Sequence, residues 1–94
     1  MDEYEWNSKK AIINLQKHGV SFEEASSIFD DPRFLIFGDP VHSSREVRYI
    51  AVGISDQRRV LFVAYTERGI DVRIISARQA TSHERKKYEE EIKI

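Results

Sequence analysis

The chain has 94 residues, of which 40% are hydrophobic and 33% are charged, a length and balance typical of one soluble globular domain. This composition excludes a disordered chain, and the absence of cysteine excludes disulfides, thiolate zinc sites and a cysteine nucleophile. The formal net charge of -1 argues against a general nucleic-acid-binding domain, which usually carries a basic excess.

Charge and hydropathy vary along the single domain that we expect over residues 1–94. Residues 1–47 hold 5 Lys or Arg against 9 Asp or Glu, whereas residues 48–94 hold 10 against 7. The C-terminal half is therefore expected to face any anionic ligand. Because the N-terminus lacks the basic residues of a secretory signal and no long apolar segment occurs, we expect a cytoplasmic protein that does not enter membranes.

The first elements expected are a short strand and an amphipathic helix. Residues 4–6 are rich in aromatics and could form an edge strand. Asn7 is a typical N-cap and Gly19 a typical C-cap of the helix between them. We expect the core-facing side of this helix to carry Ala11, Ile12 and Leu15, and the opposite side Lys10, Ile13 and Lys17. His18 lies in the last turn, where a helix-terminal hydrogen bond is its ordinary role.

A second helix is indicated by a capping-box pattern. The Ser21 hydroxyl can accept the amide of Glu24, and the Glu24 carboxylate can return to Ser21. Pro32 marks where this helical region stops. Its buried stripe is expected to consist of Phe22, Ala25 and Phe29. The acidic residues of the first turn, Glu23 and Glu24, suit the positive helix start and need no catalytic role.

Two strands are expected before residue 56. Residues 34–37 are wholly apolar and predict a short strand, and residues 46–55 predict a full-length one. Alternation places on one side of the longer strand Arg48, Ile50, Val52 and Ile54. The loop over residues 39–45 contains His42, which could serve a catalytic site, although an exposed loop histidine is the more ordinary interpretation.

The stretch from Val60 to Arg78 has the pattern of a β-hairpin with Gly69 in its turn. Its first arm, residues 60–65, is apolar almost without a break, which predicts a central strand covered on both faces. With the preceding strands it would form an antiparallel meander of about three to four strands. Charge concentrated near this hairpin makes it the first place to look for chemistry, at Glu67, Arg68, Arg73 and Arg78.

The two arginines of the second hairpin arm are expected to have different roles. Arg73 and Arg78 are five residues apart, so a regular strand would place them on opposite faces of the sheet. Only one of them would then face a cleft. We expect this to be Arg78, which stands where the strand leads into the last helix, and we expect Arg73 to form an ion pair or to contact a helix.

A last helix is predicted from the capping box that runs from Thr81 to Glu84, and it is expected to continue to the C-terminus. Its apolar residues directed at the core are Tyr88 and Ile92, four positions apart. The remaining surface is mixed in charge, so this helix is either solvated on most faces or meets a partner.

The residue types favour acid-base chemistry over metal or cofactor chemistry. The three histidines have no paired metal-ligand spacing and the four glycines form no phosphate-binding loop, so we expect neither a metal nor a cofactor. Arginines can stabilise phosphoryl charge while Lys, His, Glu or Tyr move protons, which suits metal-free RNA cleavage. The residues available for it are Lys17, His18, Glu67, Arg68, Arg73, Arg78 and Tyr88. Surface ion pairing is the ordinary alternative for such arginines.

Several stretches of the sequence together carry a family pattern. They are KHGVSFEEA at 17–25, TER at 66–68 and RIISAR at 73–78, with further matches at Glu5, Trp6, Asn14, Phe29, Pro32, His42, Ser43, Arg48 and Tyr88. In this order, and over nearly the whole chain, the sequence resembles the BrnT family of type II toxins. The resemblance implies an α+β, RelE-like fold, in which two N-terminal helices and one C-terminal helix pack on a small antiparallel sheet. It also implies a ribonuclease that arrests growth by cutting RNA.

The same resemblance implies a partner, and we infer roles for the residues that match the family. The partner would be a BrnA-like antitoxin that masks the toxin and carries the DNA-binding part of a repressing complex, so that contact with DNA is indirect. Lys17 or His18 would transfer a proton, and Glu67 would act as the base or orient an arginine. Arg68 and Arg78 would clamp the phosphate. Substrate contacts would come from Arg73 and Tyr88.

Two other functions remain open from the sequence. The chain could be a toxin-like binding module without enzymatic activity, which only forms an operon-repressing complex with an antitoxin. In that case Arg78→Ala would change neither complex formation nor growth. An independent sequence-specific DNA-binding protein is less favoured, because no helix-turn-helix with a basic recognition face is visible.

Overall fold

The computed structural model of the chain describes residues 3–91, which form three helices and a sheet of five strands. The strands are β1 (Tyr4–Glu5), β2 (Leu35–Gly38), β3 (Arg48–Ile54), β4 (Val60–Arg68) and β5 (Asp71–Gln79). The helices are α1 (Ser8–His18), α2 (Phe22–Ser27) and α3 (Ser82–Glu91), and two 3-10 turns span Ile28–Asp30 and Pro40–His42. The α+β fold class is therefore confirmed.

The sheet is mixed, with strand order β1-β5-β4-β3-β2. Strands β2 to β5 form the predicted antiparallel meander. The expectation of a wholly antiparallel sheet is wrong, because β1 pairs with β5 in parallel, with Tyr4 opposite Val72. A two-residue strand has no periodicity that reveals its direction, and its partner lies far along the chain. The direction of β1 is therefore set by tertiary structure.

One face of the sheet, here called the helix face, packs against α1 and α2. Its central strand β4 contributes Leu61, Val63 and Tyr65 to the buried core, together with side chains from both helices and from β3 and β5. The alternate residues of β4, Phe62 and Ala64, are only half-buried. The expectation that this strand is covered on both faces is therefore wrong. The second face, here called the open face, is partly exposed.

Helix α1 packs by the polar residue Asn14 and by Ala11, the only member of its predicted apolar stripe that contacts the core within the described residues. The buried residue of α1 is Asn14, whose Nδ2 donates to the carbonyl oxygens of Val20 at 3.0 Å and Ala77 at 2.8 Å. Its Oδ1 accepts from the backbone nitrogen of Ala77 at 3.1 Å. The expectation that Ile12 and Leu15 face the core is wrong, since both are exposed. The hydrogen bonds that the backbone of Ala77 in β5 needs therefore determine which side of α1 faces the sheet.

Helix α2 begins at the predicted cap, where the Ser21 hydroxyl accepts from the amide of Glu24 at 3.0 Å. The Glu24 carboxylate does not return to Ser21. It is buried, accepts from the Ser55 hydroxyl at 2.7 Å and forms an ion pair with Arg59. Hydrogen bonding from Arg59 lowers the pKa of Glu24 despite its burial. This acidic residue is structural, as predicted. Ile28 is fully buried, whereas Phe29, predicted in the stripe, is half-buried.

Helix α3 covers one end of the open face. Its capping box is complete: the amide of Glu84 donates to the Thr81 hydroxyl at 3.1 Å, and the amide of Thr81 donates to the Glu84 carboxylate at 2.8 Å. Tyr88 is buried as predicted, and its hydroxyl donates to the Asp31 carboxylate. Ile92, the other residue predicted to face the core, lies outside the described residues.

Among the described residues, no helix has both the length and the apolar character that crossing a membrane requires.

Candidate active site

The uncovered part of the open face forms a groove with a volume of about 460 Å³. Its floor consists of β3, β4 and β5, which present Ile50, Ala64 and Ser76 in one row across the sheet. The end of α1 and the loop after β2 form its sides. Four cationic or titratable side chains and one carboxylate line it, namely His18, Asp39, His42, Arg48 and Arg78.

A β-bulge in β5 decides which arginines face this groove. Ala64 pairs with Ser76 and Tyr65 pairs with Ile74, so Ile75 is an extra residue without a partner on β4. Directly paired residues of neighbouring strands project from the same face. Arg78 is paired with Phe62 and Arg73 with Thr66, and these two β4 positions lie on the open face. The prediction that Arg73 and Arg78 occupy opposite faces is therefore wrong.

Arg78 is fixed in position at the α3 end of the groove. Its guanidinium carbon lies 4.2 Å from the centre of the Phe62 ring. Its two terminal nitrogens donate to the Glu84 carboxylate at 2.8 and 3.0 Å. These hydrogen bonds raise the pKa of Arg78 and lower the pKa of Glu84 to about 2. Arg78 is therefore a fixed cation whose direction is set by α3.

Arg48 enters the groove at the start of β3, where the predicted alternation places it on the open face. Its Nε atom is buried and has no hydrogen-bond partner within residues 3–91. No ion pair of Arg48 occurs among these residues either. A buried donor without a partner is costly, so this side chain is suited to an anionic ligand in the groove.

A carboxylate and a histidine face the groove from the loop after β2. The Asp39 carboxylate oxygens lie 3.1 and 3.0 Å from Nδ1 of His42. Since a carboxylate only accepts, Nδ1 carries the proton and Nε2 of a neutral imidazole is left as an acceptor. Ser43 fixes the loop, because its hydroxyl donates to the Asp39 carbonyl oxygen at 2.6 Å and accepts from the amide of Arg48 at 3.0 Å. This arrangement orients an imidazole that can take up a proton.

His18 reaches the groove from the last turn of α1. It lies four residues after Asn14, and side chains so spaced share one face of a helix. The three hydrogen bonds that tie Asn14 to Val20 and Ala77 therefore also bring His18 against β5. The sequence identified His18 as a candidate, but the buried asparagine that positions it was not recognised.

The other predicted site residues lie outside the groove. Glu67 and Arg68 stand at the hairpin end of β4, five and six residues from Phe62, the partner of Arg78, and so about 17 to 20 Å along the strand from it. Lys17 lines a neighbouring shelf on α1. Arg73 forms an ion pair with Glu5 at 3.7 Å, as predicted. The hydroxyl of Tyr88 is bound to Asp31, and this side chain does not line the groove. Of the seven candidates, the structure brings His18 and Arg78 together.

Sequence reasoning did not select Asp39 and Arg48 as site residues, and it considered His42 but favoured an exposed loop histidine. Asp39 and His42 are three apart, but their contact depends on the 3-10 turn of Pro40–His42, which the loop sequence does not predict. Arg48 was correctly placed on one side of β3, and a positive charge in an otherwise apolar run was a usable signal.

Within the part of the chain that the structure describes, no three His, Cys, Asp or Glu side chains come together as a group able to hold a metal ion.

Comparisons with known proteins were made for both the sequence and the fold. The sequence model of a family described as "Ribonuclease toxin, BrnT, of type II toxin-antitoxin system" matches residues 6–84. Among solved structures, the 1.1 Å crystal structure of the Brucella abortus ribonuclease toxin, BrnT, is similar, with a TM-score of 0.68 and 20% identity over 87% of this chain and 100% of that chain. At this level of identity the likeness concerns the fold. No curated protein sequence matches.

Proposed function

This chain belongs to the BrnT family of ribonuclease toxins of type II toxin-antitoxin systems, and on that premise we propose that it cleaves RNA in the groove on the open face of its sheet. The observation that carries the proposal is the convergence on one groove of two histidines and two arginines, with a carboxylate on one imidazole. Proton transfer and charge stabilisation are then both supplied by side chains, without a metal ion.

In this mechanism His42 is the general base. Nε2 of its imidazole takes the proton of a ribose 2′-hydroxyl, while Asp39 holds Nδ1 and stabilises the imidazolium that forms. The 2′-oxygen then forms a bond to the adjacent phosphorus, and the bond from phosphorus to the 5′-oxygen breaks. The products are a 2′,3′-cyclic phosphate and a 5′-hydroxyl. DNA is not cleaved, because it lacks the nucleophile.

His18 is the general acid of the proposal, donating a proton to the departing 5′-oxygen. It lies on the α1 side of the groove, whereas His42 belongs to the loop after β2. Two histidines on separate elements can act on the entering and leaving oxygens of one phosphate. Lys17 lines the neighbouring shelf and not the groove, so it does not transfer the proton in this mechanism.

Arg48 and Arg78 stabilise the negative charge that develops on the phosphate oxygens. Arg48 is suited to direct contact because its Nε atom is buried without a partner among the described residues. Arg78 keeps a fixed orientation through Glu84 and Phe62. Their positions on β3 and β5 place the two cations on opposite sides of the β4 floor.

We extend the proposal to the partner protein and the cellular location of the enzyme. The family implies an antitoxin partner, and we infer that this is a BrnA-like protein which also supplies the contacts to DNA in a repressing complex. The site of action would be the cytoplasm, where growth is arrested by cutting RNA. The RelE-like character implied by the sequence resemblance belongs to the same proposal.

The test is incubation of the purified chain with single-stranded RNA and with the DNA of the same sequence, both in excess chelator. The proposal predicts cleavage of the RNA alone, leaving cyclic-phosphate and 5′-hydroxyl ends. Absence of cleavage in chelator that is restored by a divalent cation would contradict the metal-free mechanism. No cleavage under either condition, with growth inhibition retained by Arg78→Ala, would favour a binding module without enzymatic activity.

A further inference from the structure

The outward half of α1 is apolar to an unusual degree. Ile12 and Ile13 are each 59% exposed and Leu15 is 51% exposed. Three large aliphatic side chains in solvent on an 11-residue helix are not explained by the fold, because the helix packs by Asn14. Burying such side chains against a partner stabilises a complex, and exposed apolar clusters on a small protein mark interaction sites.

The same surface is positively charged. The sequence of α1, SKKAIINLQKH, contains three lysines and no acidic residue, although the whole chain has a net charge of -1. All three lysines are exposed, and none forms an ion pair within residues 3–91. We call the exposed half of this helix the α1 patch, in which Ile12 and Leu15 form one flank, Lys10, Ile13 and Lys17 form the other, and Lys9 lies between them.

We propose that the α1 patch is the docking surface for an amphipathic segment of the antitoxin that carries acidic residues beside its apolar ones. The lysines favour an anionic partner, and RNA and an acidic protein are the two candidates. The aliphatic side chains decide between them. RNA is bound on exposed surfaces by aromatic stacking, whereas half-exposed isoleucine and leucine side chains match the apolar stripe of a helix.

Docking at this patch would also close one end of the groove. One flank of the patch, Lys10, Ile13 and Lys17, lines a shelf of about 200 Å³ that continues over Ile75. The shelf and the groove share His18, Ile75 and Ser76. A segment that crosses from the Ile12 and Leu15 flank to this shelf is thus placed to cover His18, which we assign as the general acid. This masking step rests on the proposed function, whereas the docking itself rests on family membership.

The experiment measures binding of the purified cognate antitoxin to the full chain by calorimetry, in the absence of RNA. Ile12→Glu and Leu15→Glu should each weaken binding by about 30-fold or more, as expected for a central contact of an interface. The matched control is Ile70→Glu, which changes an aliphatic side chain that is 71% exposed at the hairpin turn. This control should bind as the wild type does. Unchanged thermal unfolding of all variants shows that each still folds.

Charge reversal at Lys9 and Lys17 provides a second, independent variant. The proposal predicts that Lys9→Glu with Lys17→Glu weakens antitoxin binding and reduces its dependence on salt. Binding that is unchanged in both the Ile12→Glu and the lysine variants would overturn the proposal. So would a selective rise in the KM for RNA in the lysine variants, which would assign the patch to RNA. Because the binding assay contains no RNA, its outcome does not depend on whether the chain cleaves RNA.

Discussion

Arg73 and Arg78 project from the same face of the sheet although five residues separate them along β5. The extra residue Ile75 reverses the alternation between them. As a result, Val72, Ile74 and Ala77 all lie on the helix face and in the core, although Ala77 comes three residues after Ile74. Because β1 pairs with β5 only at Val72 and Arg73, the backbone of Ala77 on the same edge bonds to Asn14 instead. The inserted residue thereby fixes the face on which Arg78 lies, and Asn14 fixes the turn of α1.

The Asn14 side chain is predicted to be a major source of stability. Asn14→Ala leaves the backbone nitrogen and oxygen of Ala77 buried without their partner, so the free energy of unfolding should fall by about 2 to 5 kcal/mol. Urea denaturation measures this. The matched control on the same helix is the exposed Gln16→Ala, with an expected change of less than about 0.5 kcal/mol. Equal effects of the two variants would contradict the assigned role.

Gly53 is predicted to be required for close packing in β3. A Cβ at this position would meet the Cβ of Phe34 at 3.0 Å and the backbone oxygen of Ile28 at 3.2 Å. Gly53→Ala should therefore lower the free energy of unfolding by about 1 to 3 kcal/mol. Gly38→Ala is the control, because a Cβ there meets nothing within 4 Å. Chemical denaturation of both variants measures the difference, and a stable Gly53→Ala protein would contradict the packing.

The pair of Arg78 and Glu84 predicts a dependence of stability on pH. The pKa of Glu84 falls from an ordinary value of 4.5 to about 2, chiefly through its hydrogen bonds with Arg78. A lowered carboxylate pKa stabilises the folded state above pH 4.5, and this contribution is lost as the pH falls toward 2. The wild type should therefore be more stable than Glu84→Gln near neutral pH. The difference in the free energy of unfolding should shrink as the pH falls from 4.5 toward 2.

Thermal or urea unfolding at a series of pH values measures that difference. Glu90→Gln, at an exposed position of the same helix, is the control and should follow the wild type at each pH. A constant difference between Glu84→Gln and the wild type from pH 7 to pH 2 would show that the ion pair with Arg78 is not its source.

Tyr88 is predicted to act on stability and not on catalysis. Its hydroxyl donates to Asp31, which also accepts from the amides of Ile54 and Arg33, each at 2.9 Å. Burial raises the pKa of Tyr88 to about 12, so the hydroxyl stays protonated at neutral pH. Tyr88→Phe should lower the free energy of unfolding by about 1.5 to 3 kcal/mol. The cleavage rate of this variant at saturating RNA should equal that of the wild type. A large loss of this rate would show that Tyr88 takes part in catalysis.

The elements that the sequence predicted well are those with local signals. Caps at Asn7, Ser21 and Thr81 marked the starts of all three described helices, and each side chain accepts the expected amide, although the Glu24 carboxylate bonds elsewhere and not to Ser21. Alternation in β3 placed Arg48 on the correct side, and the turn at Gly69 has the expected positive φ of 61°. These features depend on neighbouring residues, so the sequence contains what determines them.

The features that the sequence did not reveal depend on distant contacts. The direction of β1 is set by its pairing with β5. The bulge at Ile75 has no residue signature, since isoleucine is also an ordinary strand residue. The turn of α1 follows from hydrogen bonds between residues 63 positions apart, and apolar side chains were therefore assigned to the wrong side. The importance of His42 depends on a groove that three strands and α1 complete.

The most direct test of the central claim is the rate of RNA cleavage in chelator by three single variants of matched design. His42→Ala and Arg48→Ala remove groove residues, whereas Arg68→Ala removes an exposed arginine at the hairpin end of β4. We expect the cleavage rate to fall by about 100-fold or more in the first two variants and to change by no more than about threefold in Arg68→Ala. Cleavage retained by His42→Ala and Arg48→Ala but abolished in Arg68→Ala would place the active site at the hairpin end and contradict the account.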